Sequence, residues 1–518
     1  MNLRSATLRN TMFSTVAVYI EFALGMLTSI IIARHLGPDG YGHYSLVIWM
    51  VALGVAITNS GTATAAIKFV AEFRGNGNEA LIPGLLRYLR RAQRIFMLLV
   101  VLAGSIALLM SRDRLVPELD KRMLLGFLLL AVSVRAAYMF NIGVAKGFEN
   151  FRVVARVALV AAPVNLTMVV LVCWFDYPME ALLAVFLVSG VIFYVISQRQ
   201  VSGLVQRPAE GVVPALPKVL LSRVHRHMWL AALNVSFGFL IASEIEVLFL
   251  NLYTNADAAG HFKVAHQLAT GATLLVPGVF AALLLPMMAS ALSQGHAVAG
   301  RRFVASTNYL VLLAVPLVAF AVTFSDEVIL LLYGTAYNDT GPVLAACIIG
   351  AAVVTVSQSG SSLLISADRQ GSVLLVGVFV GIFKVALDVV LIKRYGLQGA
   401  TWAYLVAAVV DGAAMIALAI QVSRVQPQWA RLGRTVLAGV LAALLVLPLG
   451  RHLPPLAALL LGGSVLSVTY AVLTLLLRCW DAVDIEHMQS VLQRVWGGRP
   501  LSATGLRFLE WARRHTSE

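Results

Sequence analysis

The feature that most constrains this chain is a series of long apolar runs that recurs along the whole sequence. A helix needs about 20 mostly apolar residues to cross a bilayer. A window of that length finds candidate spans near residues 12–34, 41–67, 95–111, 123–145, 153–175, 180–198, 228–250, 259–292, 303–325, 343–366, 371–392, 398–421, 433–450 and 455–477. The sequence therefore predicts an all-α polytopic membrane protein with about 14 transmembrane helices. Only 12% of the residues are charged, against about 25% in soluble domains, which excludes a soluble enzyme.

The basic residues predict the orientation of the chain. Lys and Arg concentrate in the loops that share a side with the N-terminus, above all in the cluster Arg87, Arg90, Arg91 and Arg94. Because cytoplasmic loops carry an excess of basic residues, both termini are predicted to be cytoplasmic. The formal net charge of +14 points to anionic membrane lipids as partners rather than to nucleic acid. The three cysteines lie far apart, so neither a disulfide framework nor a metal site is predicted, and no cofactor is expected.

One long connection divides the spans into a group of six and a group of eight. The predicted parts are an N-terminal six-helix lobe at 1–198, a cytoplasmic linker at 199–227, a C-terminal six-helix lobe at 228–425, additional helices 13 and 14 at 426–478, and a cytoplasmic amphipathic tail at 479–518. A short repeat supports the two lobes, since the pattern D-x-x-G-H-[YF] occurs at Asp39–Tyr44 and again at Asp257–Phe262. Six spans per lobe would give both copies the same orientation in the membrane.

Three stretches resemble a known family. Residues 31–42 (IIARHLGPDGYG) are similar to the N-terminal signature of bacterial polysaccharide biosynthesis proteins, the oligosaccharide-lipid flippases, and residues 258–265 (AAGHFKVA) and 332–337 (LYGTAY) resemble further parts of that family. The family belongs to the multidrug, oligosaccharidyl-lipid and polysaccharide exporter superfamily, and the resemblance runs to about residue 425. These motifs are turns that are moderately specific for the superfamily and weak for the substrate. No stretch singles out the lipid II flippase branch.

The resemblance implies a MATE-like fold with two six-helix lobes in a V around a central cavity, working by alternating access in the bacterial inner membrane. The substrate it implies is an undecaprenyl-pyrophosphate-linked glycan, flipped for the synthesis of exopolysaccharide, O-antigen or capsule. The interpretation leaves a proton or a sodium ion as the candidate coupling ion. It adds a glycan polymerase and a chain-length regulator as candidate partners. The last two helices are an addition that some members of the superfamily have and others lack.

Ionisable side chains inside predicted spans are costly, so each is a candidate for function. The acidic candidates for ion coupling are Glu21, Glu244, Asp388 and Asp411, and the basic candidates for substrate binding are Arg135, Lys263 and Lys384. Each of these candidates has a structural alternative, and for Glu21 and Asp411 it is a pair with a base of another helix. Lys384 and Asp388 stand four residues apart on one helix and can neutralise each other. Lys263 is predicted near the outer surface, where a solvated or snorkelling role is the alternative.

Arg135 is the basic residue that the sequence places deepest in the membrane. At 1.5 Å per residue it lies about 18 Å from Met123 and about 15 Å from Ala145, close to the bilayer midplane. Its helical neighbours at three and four residues are not acidic, so its own helix does not offset the charge. A guanidinium does not readily lose its proton and matches two phosphate oxygens at once. The sequence therefore predicts that Arg135 meets the lipid pyrophosphate, water in a cavity, or an acid of another helix, for which Glu21 is the candidate.

Two other functions compete with the flippase. A multidrug or cation antiporter of the same superfamily would need an acid-lined cavity without buried bases, which Arg135 and Lys384 argue against. A membrane polymerase or ligase would need sizeable outer loops, whereas the longest predicted outer connection is about 112–122. No nucleotide-binding or HExxH zinc motif occurs in the sequence. The prediction is therefore a transporter and not an enzyme.

Overall fold

The computed structural model describes residues 3–110, 116–117, 119–205, 216–242, 244–275, 283–481 and 485, and the statements below concern those residues. Within them the long helices are α1 (Leu3–Asn59), α2 (Thr62–Gly75), α3 (Ile82–Met110), α4 (Lys121–Gly147), α5 (Phe151–Trp174), α6 (Met179–Ser202), α7 (Lys218–Ala242), α8 (Ile245–Tyr253), α9 (Ala256–Leu275), α10 (Leu284–Leu292), α11 (His296–Tyr333), α12 (Gly341–Ser366), α13 (Gln370–Ser423), α14 (Trp429–His452) and α15 (Pro455–Leu476). Most of the predicted tail and the middle of the predicted linker lie outside the described residues. The described chain confirms the predicted all-α class.

Ten of the described helices are long and apolar enough to cross a membrane. Two of them are double, because α1 contains a break at Gly37 and α13 contains one at Gly396, both at a positive φ that favours glycine. Helix α1 therefore covers the predicted span 12–34 and most of 41–67, and α13 covers the predicted spans 371–392 and 398–421.

Two predicted spans are interrupted in the structure. The span at 41–67 is broken between α1 and α2, where Gly61 has a φ of 80°. The span at 228–250 is broken between α7 and α8, where Glu244 lies at the N-terminal cap position of α8. Hydropathy averages over a window of residues, so it does not detect a change of direction at one or two of them.

The chain folds into two compact units, which differ in extent from the predicted lobes. The first unit contains residues 1–263 and 392–397, and the second contains 264–391 and 398–518. In the first unit α7 and α8 pack against the N-terminal helices, α7 on α1 and α2 and α8 on α1. Its core is formed by fully buried side chains such as Phe69, Leu85 and Phe140.

In the second unit α11 is the central element and packs against α10, α12, α14 and α15. The predicted additional helices 13 and 14 correspond to α14 and α15. They share a small core with α11 in which Phe324, Val446 and Leu466 are buried. These two helices therefore form part of the compact second unit.

The two copies of the repeated motif contact each other inside the first unit. A Cβ atom at Gly42 would collide with the carbonyl oxygen of Ala256, and one at Gly260 would collide with that of Pro38. These contacts are reciprocal, because Gly42 and Gly260 occupy the same position in the motif and Pro38 and Ala256 both precede its Asp. Each copy also pairs its own His and Asp, at 3.7 Å in the first and 3.6 Å in the second.

This contact leads to a prediction about stability. Gly42→Ala or Gly260→Ala should lower the amount of folded protein in the membrane severalfold, because a backbone carbonyl cannot move aside as a flexible side chain can. Gly25→Ala is the matched control, since a Cβ there meets no atom within 4 Å. Detergent-extracted protein measured by fluorescence size-exclusion chromatography tests the effect. Wild-type amounts of monodisperse Gly42→Ala and Gly260→Ala protein would contradict it.

Candidate functional site

Arg135 lies near the middle of α4 and is held by the neighbouring helix α6. Its guanidinium carbon is 4.3 Å from the ring centroid of Phe186 and 5.1 Å from that of Phe193. Its Nη2 donates a hydrogen bond of 3.3 Å to the hydroxyl oxygen of Ser189. Cation–π contacts of this kind stabilise a cation most strongly where water is excluded.

Within the described residues, no carboxylate lies within ion-pair distance of Arg135. Glu21 in α1 is half-buried and makes no ion pair with Arg135 in the described structure. The predicted alternative, a direct ion pair between Arg135 and Glu21, is therefore not formed in this structure. The positive charge is held mainly by aromatic rings and one hydroxyl group.

Lys263 and Glu244 form a second charged site in the first unit. The Lys263 ammonium donates a hydrogen bond to a Glu244 carboxylate oxygen, and both side chains are largely buried. The break between α7 and α8 makes this contact possible, because Glu244 lies at the start of α8. The sequence identified both residues as candidates but did not predict their ion pair, since they lie on different helices.

Two tyrosines of α1, Tyr41 and Tyr44, belong to the same unit. Tyr41 is buried, and its hydroxyl group shares a hydrogen bond with that of Ser29. The two tyrosine rings are stacked, with their centroids 6.3 Å apart. The first unit therefore contains a polar series of side chains among apolar helices.

In the second unit, Lys384 and Asp388 lie next to each other on α13. The Lys384 nitrogen is 3.6 Å from a carboxylate oxygen of Asp388, with side-chain exposures of 5% and 0%. A buried charge needs a partner of opposite sign. Their spacing of four residues predicted this contact, and the burial shows that both charges are removed from water together.

Asp411 lies in the second half of α13 and is half-buried. Within the described residues no basic side chain lies within ion-pair distance of its carboxyl group. Asp411 and Glu21 form no ion pair within the described residues, whereas Glu244 and Asp388 each pair with a lysine.

An apolar cavity of about 440 Å³ opens among α11, α12, α13 and α14 of the second unit. Its lining is hydrocarbon except for Ser357, and it includes Val315, Ile349 and Leu444. A surface of this kind suits an isoprenoid or acyl chain. Within the described residues, no group of three or more His, Cys, Asp or Glu side chains could hold a metal ion.

The aromatic residues around Arg135 were not among the predicted site residues. Phe186, Ser189 and Phe193 stand three and four residues apart, which places them on one face of α6. In a strongly apolar span such residues do not differ from ordinary packing residues. Only the facing arginine of another helix gives them a role.

The chain resembles several solved membrane transporters in fold. The lipid II flippase MurJ in an inward closed conformation matches with a TM-score of 0.69 at 10% identity, covering 89% of this chain and 98% of that one. An inward-facing multidrug resistance MATE family transporter matches with a TM-score of 0.61 at 14% identity, covering 79% and 98%. A superfamily transporter from Pyrococcus furiosus, described by a reversed polarity of its binding pocket, matches with a TM-score of 0.54 at 13% identity, covering 81% and 95%. No curated protein matches the sequence.

These likenesses define the class, a multi-pass membrane protein with the MATE-like fold. The family follows from the sequence itself, because the model of the polysaccharide biosynthesis proteins matches residues 7–292, more than half of the chain. The chain belongs to the polysaccharide biosynthesis protein family. The predicted resemblance is therefore confirmed.

Proposed function

We propose that this protein flips an undecaprenyl-pyrophosphate-linked glycan across the bacterial inner membrane by alternating access. The observation that carries the proposal is that the guanidinium of Arg135, in the middle of a span, has no ion-pair partner among the described residues. A charge in that position is costly, so its presence there indicates a functional role. A pyrophosphate group supplies the missing negative charge, and a guanidinium binds its oxygens in pairs.

Two further features support an amphiphilic substrate. The apolar cavity of the second unit suits part of the polyprenyl chain, since its lining is almost entirely hydrocarbon. Lys263 is a second cation for the head group once Glu244 releases it. Arg135 argues against a multidrug antiporter, because it would repel a cationic substrate. The described residues do not neutralise its charge with an ion pair.

Ligand-induced stabilisation tests this substrate class. Purified protein in detergent should gain thermal stability with a short polyprenyl pyrophosphate such as geranylgeranyl pyrophosphate, because a ligand that binds the folded state stabilises it. Geranylgeraniol, which lacks the pyrophosphate, is the matched control and should have a much smaller effect. A larger shift with a lipophilic cation than with the pyrophosphate would favour the antiporter.

Asp411 is the proposed coupling acid, with a proton or a sodium ion as the coupling ion. A half-buried carboxyl group that forms no ion pair in the described chain can gain and lose a cation without breaking an existing pair. In proteoliposomes, Asp411→Asn should retain binding of the lipid substrate but lose the stimulation of flipping by an imposed ion gradient. Unchanged stimulation would transfer the role to Glu21, the other candidate acid that forms no ion pair within the described residues.

The proposed orientation places both termini in the cytoplasm. In a cysteine-free background, Asn338→Cys should react with an impermeant thiol reagent added to intact spheroplasts, while Ser222→Cys should react only after the membrane is opened. Both positions are exposed to solvent in the structure, so burial does not explain a difference between them. Labelling of the Ser222 position from outside would overturn the orientation.

A further inference from the structure

One face of α6 surrounds the side chain of Arg135. Phe186, Ser189, Gly190 and Phe193 stand at spacings of three and four residues and therefore project from the same side of the helix. The two rings contact the guanidinium carbon at 4.3 and 5.1 Å. A Cβ atom on Gly190 would lie 3.3 Å from Arg135 Nε, so the absence of a side chain there gives the arginine its room.

The hydrogen bonds of this face have a fixed direction. The Ser189 hydroxyl donates to the backbone oxygen of Phe186 at 2.9 Å, as serine in a helix often does. Its oxygen is therefore free to accept the 3.3 Å hydrogen bond from Arg135 Nη2. The Nε–H of Arg135 is buried and has no hydrogen-bond acceptor in the described structure.

The three contacts, from two rings and one hydroxyl group, hold the guanidinium without neutralising it. A carboxylate in the place of Ser189 would hold it more firmly. However, that carboxylate would also satisfy the charge and compete with an anionic ligand. Aromatic rings and a hydroxyl group orient the cation while leaving its net charge intact.

We propose that this face of α6, formed by Phe186, Ser189, Gly190 and Phe193, is a positioning element that presents Arg135 as an uncompensated cation to a phosphate-bearing ligand. This role rests on the proposed function, because it needs an anion to reach Arg135. The neutrality of the α6 face then sets the affinity of Arg135 for that anion. An internal carboxylate should therefore act as a built-in competitor of the substrate.

The decisive comparison is Ser189→Asp against Ser189→Asn, which have the same shape and differ in charge. Ser189→Asp should fold at least as stably as the wild type, since its carboxylate pairs with Arg135. It should lose the thermal shift with geranylgeranyl pyrophosphate and lower flipping at least tenfold. Ser189→Asn should retain both to within about threefold, because an amide oxygen replaces the hydroxyl as acceptor without adding charge. Well-folded Ser189→Asp protein with wild-type flipping and ligand shift would overturn the role.

A second comparison decides the case if Ser189→Asp does not fold. Phe186→Leu removes the ring that lies closest to the guanidinium. Phe127→Leu is the control, because the Phe127 ring packs on Phe186, with the two centroids 6.3 Å apart, and has no described contact with Arg135. Phe186→Leu should raise the KM for the lipid-linked substrate roughly three- to tenfold at an unchanged maximal rate. Phe186→Trp should restore the KM. Equal effects of Phe186→Leu and Phe127→Leu on KM would contradict the positioning role.

Arg135→Ala separates this inference from the proposed function. If Arg135→Ala flips the substrate normally, the proposed function of Arg135 fails and the α6 face has no ligand to serve. If Arg135→Ala is inactive while folded Ser189→Asp is fully active, only the positioning role is wrong.

Discussion

Replacement of Arg135 by alanine should abolish glycan export while leaving the amount of protein in the membrane near the wild-type level. The guanidinium contacts Phe186, Phe193 and Ser189, which are all neutral. In the described structure its removal therefore leaves no acid without an ion-pair partner. Hydrogen bonds to charged groups contribute about 1.5–3 kcal/mol each. Loss of two of them to a pyrophosphate would lower transport on the order of 100-fold or more. Surface polysaccharide measured at matched protein levels tests the effect.

Two further variants make this result specific. Arg135→Lys should restore export only in part, because a point charge replaces the fork that matches two phosphate oxygens. Arg122→Ala, at the exposed end of the same helix, should export normally. Full export by Arg135→Ala would remove this residue from the substrate path.

Replacement of Lys384 by alanine should have the opposite pattern and destabilise the protein itself. Asp388 has a fully buried side chain 3.6 Å from the ammonium of Lys384. Removing one partner of a buried ion pair costs about 3–5 kcal/mol, because the remaining charge loses its neighbour of opposite sign at 3.6 Å while it stays out of water. Lys384→Ala should therefore fall strongly in abundance and thermal stability, and Lys384→Ala combined with Asp388→Ala should recover part of the loss. Lys393→Ala, on an exposed side chain of the same helix, is the control.

The double variant also distinguishes structure from function at this pair. A double variant that folds and exports would assign the pair to stability alone. One that folds well and does not export would show that the pair also serves transport. A stable Lys384→Ala single variant would contradict the destabilisation expected here.

The contrast between these two sites shows what the sequence can predict. The pairing of Lys384 with Asp388 follows from a spacing of four residues on one helix, and the position of Arg135 follows from counting along one span. The pairing of Lys263 with Glu244 could not be predicted, because it joins a residue at the break between α7 and α8 to a residue of a separate helix, α9. Local patterns predict contacts within a helix, whereas contacts between helices need the fold.

The same distinction separates the features of the fold that the sequence predicted from those that it did not. Length and hydropathy predicted the long helices, and the turn motif identified the family. The extent of the two compact units was not predicted, because α7 and α8 follow the linker in sequence but pack on the first unit. The repeated D-x-x-G-H-[YF] motif was visible, but the reciprocal contact of its glycines with the other copy was not. Apolar residues such as Phe186 acquire a role only through the helix opposite.

The most direct test of the proposed flippase is translocation by the purified protein. Proteoliposomes are prepared with the full chain and a fluorescent, glycosylated polyprenyl pyrophosphate, and a membrane-impermeant glycosidase is added outside. The glycosidase should digest the lipid of both leaflets, because flipping brings the lipid of the inner leaflet to the outer one. Protein-free liposomes, and proteoliposomes with Arg135→Ala at the same density, should leave the inner half of the lipid protected. Complete digestion with the wild-type protein and about half digestion with Arg135→Ala is the result expected from a phosphate-binding arginine in the transport path. Equal protection of the lipid with and without the wild-type protein would contradict the flippase.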